Sequence, residues 1–121
     1  MKIKAHLVIP AFEKTVELQK MDPKPPARAG YWLMRLQNKL DPEYRALQAK
    51  KFEIIQKHGV QADDGSWSVV DPEKIAAFLA EWKPIAEDEI EVSTPTIKIE
   101  VFGDTAMDPA HFGPLLPFME D

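Results

Sequence analysis

Between residues 26 and 59, apolar side chains recur three or four positions apart, at Tyr31, Leu33, Leu36, Leu40, Tyr44, Leu47, Phe52, Ile54 and Ile55. That spacing is the helical period. A helix of about 30 residues is roughly 45 Å long, and its apolar stripe needs cover from the rest of the chain or from a second copy. Asp41-Pro42-Glu43 interrupts the stretch. An Asp cap followed by Pro at the first helical position makes a good fresh start, and a proline also kinks a continuous helix. A bent long helix and a helical hairpin are therefore both open. His58-Gly59 marks the stop, with Gly59 expected to supply a left-handed position just past the last turn.

The flanking segments carry other periods. In residues 1–10, Ile3, Ala5, Leu7 and Ile9 alternate with Lys2, Lys4, His6 and Val8, which predicts a strand ended by Pro10. Residues 11–21 predict a short helix with Phe12 and Val16 one turn apart, and the prolines of residues 22–26 a stiff connection. Asp64-Gly65 is a hairpin signal that leads into a short strand over 67–70. Asp71-Pro72-Glu73 then opens a helix over 71–83, limited by Pro84, with Ile75, Phe78, Leu79 and Trp82 on one side as the partner for the long helix. Residues 88–102 form a strand region in which Ile90 and Val92, then Ile97, Ile99 and Val101, alternate with polar positions. A turn is expected over 103–107. The apolar C-terminal segment 108–121 has two uses open to it: a lid packed on the core, or a docking peptide. The elements predict an α+β fold, in which a long or bent helix (or helical hairpin) and a further short helix pack against a small, mostly antiparallel sheet.

With 121 residues, 45% of them hydrophobic and 29% charged, the chain reads as one folded domain over 1–121. It has no cysteine, which excludes disulfides, thiolate metal sites and cysteine nucleophiles. Its apolar runs fall far short of the ~20 residues that span a bilayer, and Met1 to Pro10 does not read as a signal peptide. The net charge of −5 conceals a division. Residues 1–60 hold 12 Lys or Arg against 6 Asp or Glu, whereas residues 61–121 hold 3 against 14. The two halves should attract, either within one chain or head to tail between subunits. A basic face for nucleic acid is the weaker reading, because the acidic half lies close enough to repel phosphate.

Candidate chemistry is sparse. His6, His58 and His111 lack paired metal-ligand spacing, and Asp63-Asp64-Gly65-Ser66 lacks the spaced ligands of a calcium loop, so a turn is the simpler reading. No nucleophile elbow, phosphate-cradling loop or dinucleotide fingerprint is present. The expectation is a protein that is not an enzyme and takes no metal or cofactor. A contact surface is the better candidate. Tyr31 and Trp32 are adjacent, so on a helix they diverge by about 100° and cannot both sit centrally in one stripe. With Arg28 and Arg35 a turn away, they form a candidate protein interface, as do Phe112, Leu115, Leu116 and Phe118 in the C-terminal segment.

Several of these stretches resemble a family of small proteins encoded by tailed bacteriophages and prophages. The matching stretches are Pro26-Ala27 leading into the helical pattern of 36–47, Ile54-Ile55-Gln56-Lys57-His58-Gly59, Asp64-Gly65, the acidic strand region 87–99, and Leu115-Leu116-Pro117-Phe118-Met119. Pro42 and the connection over 102–111 depart from the family pattern. The resemblance implies a structural or assembly-associated protein, or a small inhibitor or adaptor of a host protein. It also implies a place in the host bacterial cytoplasm or the virion, and partners that are further copies of itself, a phage protein or a host protein, with no membrane. It carries no catalytic residues.

Overall fold

The computed structural model describes residues 2–21, 25–93, 96–98, 100 and 109–120, without the side chains of 109–112 and 120. Strand β1 (Lys2–Lys4) and a single 3-10 turn (Ala5–Leu7) lead into helix α1 (Val8–Gln19). Helix α2 (Ala27–His58) is followed by β2 (Val60–Gln61), β3 (Trp67–Ser68) and helix α3 (Pro72–Glu87). Then come β4 (Glu89–Glu91), β5 (Ile97–Lys98), a run of 3-10 turns (Pro109–Phe118) and β6 (Met119–Glu120). The fold is α+β, organised on α2 as one continuous helix.

Three two-stranded ladders accompany the helices, β1 with β4, β2 with β3 and β5 with β6. The first two are antiparallel and the third is parallel. In the first, Lys2 stands opposite Glu91 and Lys4 opposite Glu89, so the basic and acidic halves of the sequence meet in register within one chain. Part of the expected strand region (residues 94, 95, 99, 101 and 102), the turn at 103–107, residues 22–24 and the side chain of Phe112 lie outside the described residues.

The expected strand over residues 1–10 is corrected to three residues. After Ala5 the buried positions become Val8, Ala11, Thr15 and Leu18, a helical spacing, and Pro10 sits in the first turn of α1, where a proline removes no intrahelical bond. Helix α1, rather than α3, provides the main cover for α2. Phe12 stacks on Tyr44 with ring centres 4.0 Å apart. Buried Thr15 donates its hydroxyl to the Phe12 carbonyl at 2.6 Å, and Gln19 bridges the helices by donating to Gln37 Oε1 at 2.6 Å. The core gathers residues of α1 with Ala29, Leu33, Leu36, Leu40 and Leu47 of α2, and with Val92, Ile97, Leu115 and Phe118. The C-terminal segment is thus a lid packed on the core.

Pro42 lies inside α2 without ending it. Its missing N–H would have served the Asn38 carbonyl, and both residues are on the exposed side, where water serves instead. Asp41 does not cap a new helix; its carboxylate pairs with Arg45 at 2.9 Å, one turn on. Pro84 likewise lies within α3, which runs on to Glu87. The expected cap at the other end is present, with Asp71 accepting from the Glu73 N–H at 3.0 Å and Pro72 at the first helical position.

Gly59 is extended (φ −104°, ψ −177°) rather than left-handed. Glycine is needed there for space: a Cβ would stand 2.6 Å from the Ile55 carbonyl oxygen and 2.7 Å from that of Ser68. Gly65, at φ 90°, takes the left-handed position in the hairpin turn, beside an Asp64 carboxylate that accepts from the Ser66 N–H and hydroxyl. Gly59→Ala is expected to destabilise the domain by roughly 1–3 kcal/mol through backbone overpacking. Gly30 is helical, and a Cβ added there would meet nothing within 4 Å. Gly30→Ala is therefore expected to stabilise by about 0.5–1 kcal/mol. Urea titration of the two variants checks the opposite signs.

Candidate functional site: the aromatic and basic face of the long helix

Leu33 and Leu36 of α2 point into the core and fix the rotation of its first turns. That rotation sets Arg28, Trp32, Arg35 and Lys39 along one flank, at the i, i+4, i+7, i+11 spacing of a single helical side. Arg28, Arg35 and Lys39 are exposed and Trp32 is half-buried. Tyr31, one position round, is 51% exposed and meets the Trp32 ring edge-on at 5.6 Å. The Arg35 guanidinium lies over both rings, 4.9 Å from the centre of Trp32 and 5.8 Å from that of Tyr31. Such stacking holds a long cation in place without a carboxylate.

Strand β5 closes the site from the other side. Arg28, Trp32, Thr96 and Lys98 line a hollow of about 270 Å³, so Lys98 joins the helix cations around the indole. Among the described residues one acid borders it: Glu100, 3.8 Å from Arg28, with both side chains largely in solvent. Further along α2, Arg45 is matched by Asp41, Lys50 by Glu53 and Lys57 by Glu81. Arg35 and Lys39 face no carboxylate among the described residues. The arrangement can hold an anionic group beside an apolar or planar one.

Arg28, Tyr31, Trp32 and Arg35, singled out in the sequence, are thus brought together. The C-terminal candidates divide. Leu115 and Phe118 are fully buried and are corrected from interface to core, because the lid uses them to fill the space beside α1. Leu116 is 62% exposed. Sequence reasoning misses Lys39, Lys98 and exposed Met34. The helical spacing from Arg28 is a signal for Lys39; nothing local places Lys98 beside Trp32.

A second surface lies at the other end of α2. Glu81 of α3 accepts from Lys57 at 2.7 Å and is hydrogen-bonded to His58. A groove of about 410 Å³ runs between Ile54 of α2 and Ala80, Pro84 and Ile85 of α3. The turns of α3 before Ala80 therefore pass beyond the end of α2. Ile75 and Leu79, expected to cover the long helix, are instead 39% and 50% exposed, and Phe52 of the expected α2 stripe is 47% exposed.

Hydrogen bonds from Lys57 and then His58 hold the Glu81 carboxyl below its ordinary value. A depressed carboxyl value stabilises the fold above the unfolded value of about 4.5, and that stabilisation is lost as the pH falls through the lower folded value. Glu81→Gln is expected to lower the thermal midpoint at pH 7 by a few degrees at most, given the exposure of the pair, and to flatten its decline below pH 4.5. Melts between pH 3 and 7 followed by circular dichroism test this. An unchanged acid limb would remove the pair from the stability of the fold.

Among the described residues, no three His, Asp or Glu side chains gather to hold a metal ion, and no helix is long and apolar enough to cross a membrane. Comparison of the chain with protein-family models, curated proteins and solved structures gave no match.

Proposed function

We propose that this chain is a non-enzymatic, assembly-associated interaction protein of a tailed bacteriophage or prophage, acting in the host cytoplasm or in the particle. The observation that carries the reading is the aromatic and basic face of α2, where Trp32, Tyr31 and Arg35 are held on a rigid helix rather than on a loop. Aromatic and arginine side chains fixed in this way are those that dominate protein contacts, since little conformational freedom is lost when a partner covers them. The resemblance of the long-helix and terminal segments to phage-encoded proteins supplies the setting.

The test is density-gradient fractionation of particles from the encoding bacterium, with a tagged chain and an Arg35→Glu/Trp32→Ala variant. The natural chain is expected to travel with particles or their assembly intermediates, and the variant to stay behind. A natural chain found wholly outside them would overturn the assembly role. It would favour an inhibitor or adaptor of a host protein, a reading that the exposed acids Glu87, Asp88 and Glu89 support as a decoy surface.

A further inference from the structure

We infer that the two ends of α2 are complementary docking surfaces for each other, so that copies of this chain associate head to tail. The inference rests on the assembly reading above and names its partner: a second copy. In the N-terminal half of α2, Arg28 and Arg35, with Lys98 of β5, lie close to half-buried Trp32 and exposed Tyr31, Lys39 follows two turns beyond Trp32, and Glu100 is beside Arg28. At the C-terminal end, Asp63, Asp64, Asp71 and Glu73 are all exposed, against Lys74 and the Lys57 that is paired with Glu81. Val70 precedes Asp71 in the chain, Ile75 and Leu79 follow on α3, and the three are 67%, 39% and 50% exposed. One end thus presents cations beside aromatic rings, and the other carboxylates together with exposed aliphatic side chains.

The ends cannot satisfy each other within one chain. Helix α2 carries its C-terminal end roughly 35 Å beyond Arg35 and roughly 29 Å beyond Lys39, well over a screening length of about 8 Å at physiological salt. The helix itself adds to the asymmetry. Its first turn contains Arg28 and no acid, although the N-terminal end of a helix favours negative charge. Carboxylates from the acidic end of a second copy would meet both Arg28 and that positive end. Because the two surfaces differ, the contact is heterologous, and its repetition gives a ring or a filament rather than a closed two-fold dimer.

Two solvent-facing double variants separate the ends. Arg35→Gln/Lys39→Gln removes charge from the basic end and keeps the acidic one, whereas Asp63→Asn/Glu73→Gln does the reverse, and these neutral replacements leave no swapped pair of charges to meet in a mixture. Light scattering at low salt is expected to show the natural chain growing in mass with concentration and returning to monomer at high salt. Each variant alone, with its circular dichroism unchanged, is expected to remain monomeric. Their equimolar mixture is expected to form a 1:1 dimer and nothing larger, because only one productive contact is left.

A natural chain that stays monomeric at several hundred micromolar and low salt would overturn the inference. So would variants that still associate alone, or a mixture that stays monomeric. Co-fractionation with particles by a chain that is monomeric when pure would sink head-to-tail contact while sparing the assembly role. Self-association without any particle fraction would do the opposite.

Discussion

Leu40→Asp is expected to abolish the cooperative unfolding transition of the domain. Leu40 is fully buried halfway along α2, in the cluster that joins α2 to α1 and the C-terminal lid. Deleting a buried leucine side chain alone costs about 2–5 kcal/mol. A carboxyl in its place adds a further desolvation cost of several kcal/mol or must take up a proton. The sum approaches the roughly 5–15 kcal/mol by which a domain of this size is stable. Leu47→Asp should cost less, since Leu47 lies at the edge of the cluster and is 8% exposed. A segment as long as α2 can keep some helix without tertiary packing, so near-ultraviolet circular dichroism and urea titration are the informative measurements. Met34→Asp, on the outer face at 47% exposure, is the control expected to fold normally. A native transition in Leu40→Asp would place the covered face of α2 elsewhere.

The long helix is legible because six of its residues, Ala29, Leu33, Leu36, Leu40, Leu47 and Ile54, carry the helical period into the core. Its flanks are harder. Ile3 and Ala5 do alternate into the core as a strand would, but the period changes between Ala5 and Val8, and the apolar Ile9 disguises the change. Pro10, Pro42 and Pro84 all read as possible breaks. Position within a helix decides their effect: one falls in a first turn, and the other two leave their orphaned carbonyls toward solvent. Local sequence also does not state how far a helix extends past its neighbour. Ile75 and Leu79 continue the stripe of Trp82 and Ala86, yet only the C-terminal part of that stripe reaches α2 and the core.

The candidate site is legible on α2 for a geometric reason. Adjacent aromatic residues cannot share one narrow stripe, and half-buried Trp32 beside exposed Tyr31 follows from that alone. The contribution of Lys98 depends on the pairing of β5 with β6, which brings together Ile97 and Met119 from distant parts of the chain. The charge division is resolved in part within the chain, by the register of β1 on β4 and by Glu81 on Lys57. Among the described residues, exposed charge of opposite sign is still left towards the two ends of α2.

Phe118→Ala is expected to cost about 3–5 kcal/mol, the range for truncating a buried phenylalanine. Phe118 is wholly buried, with Leu115, in the lid that packs on α1. Residues Met119 and Glu120 continue from it to pair with Ile97 and Lys98. At about 1–3 kcal/mol per molar urea, the unfolding midpoint should fall by roughly 1–5 M. Limited proteolysis should then cut the C-terminal segment first, while α1 and α2 stay protected, because local opening follows the weakest packing. Leu116→Ala, at an exposed position in the same segment, should change stability by no more than about 0.5 kcal/mol. Equal behaviour of the two variants would mean that the lid does not seal the core. The contrast also bears on partner binding: a protein that captured this segment through Phe118 would have to offset the whole loss, whereas one that used Leu116 would bind the lid in place.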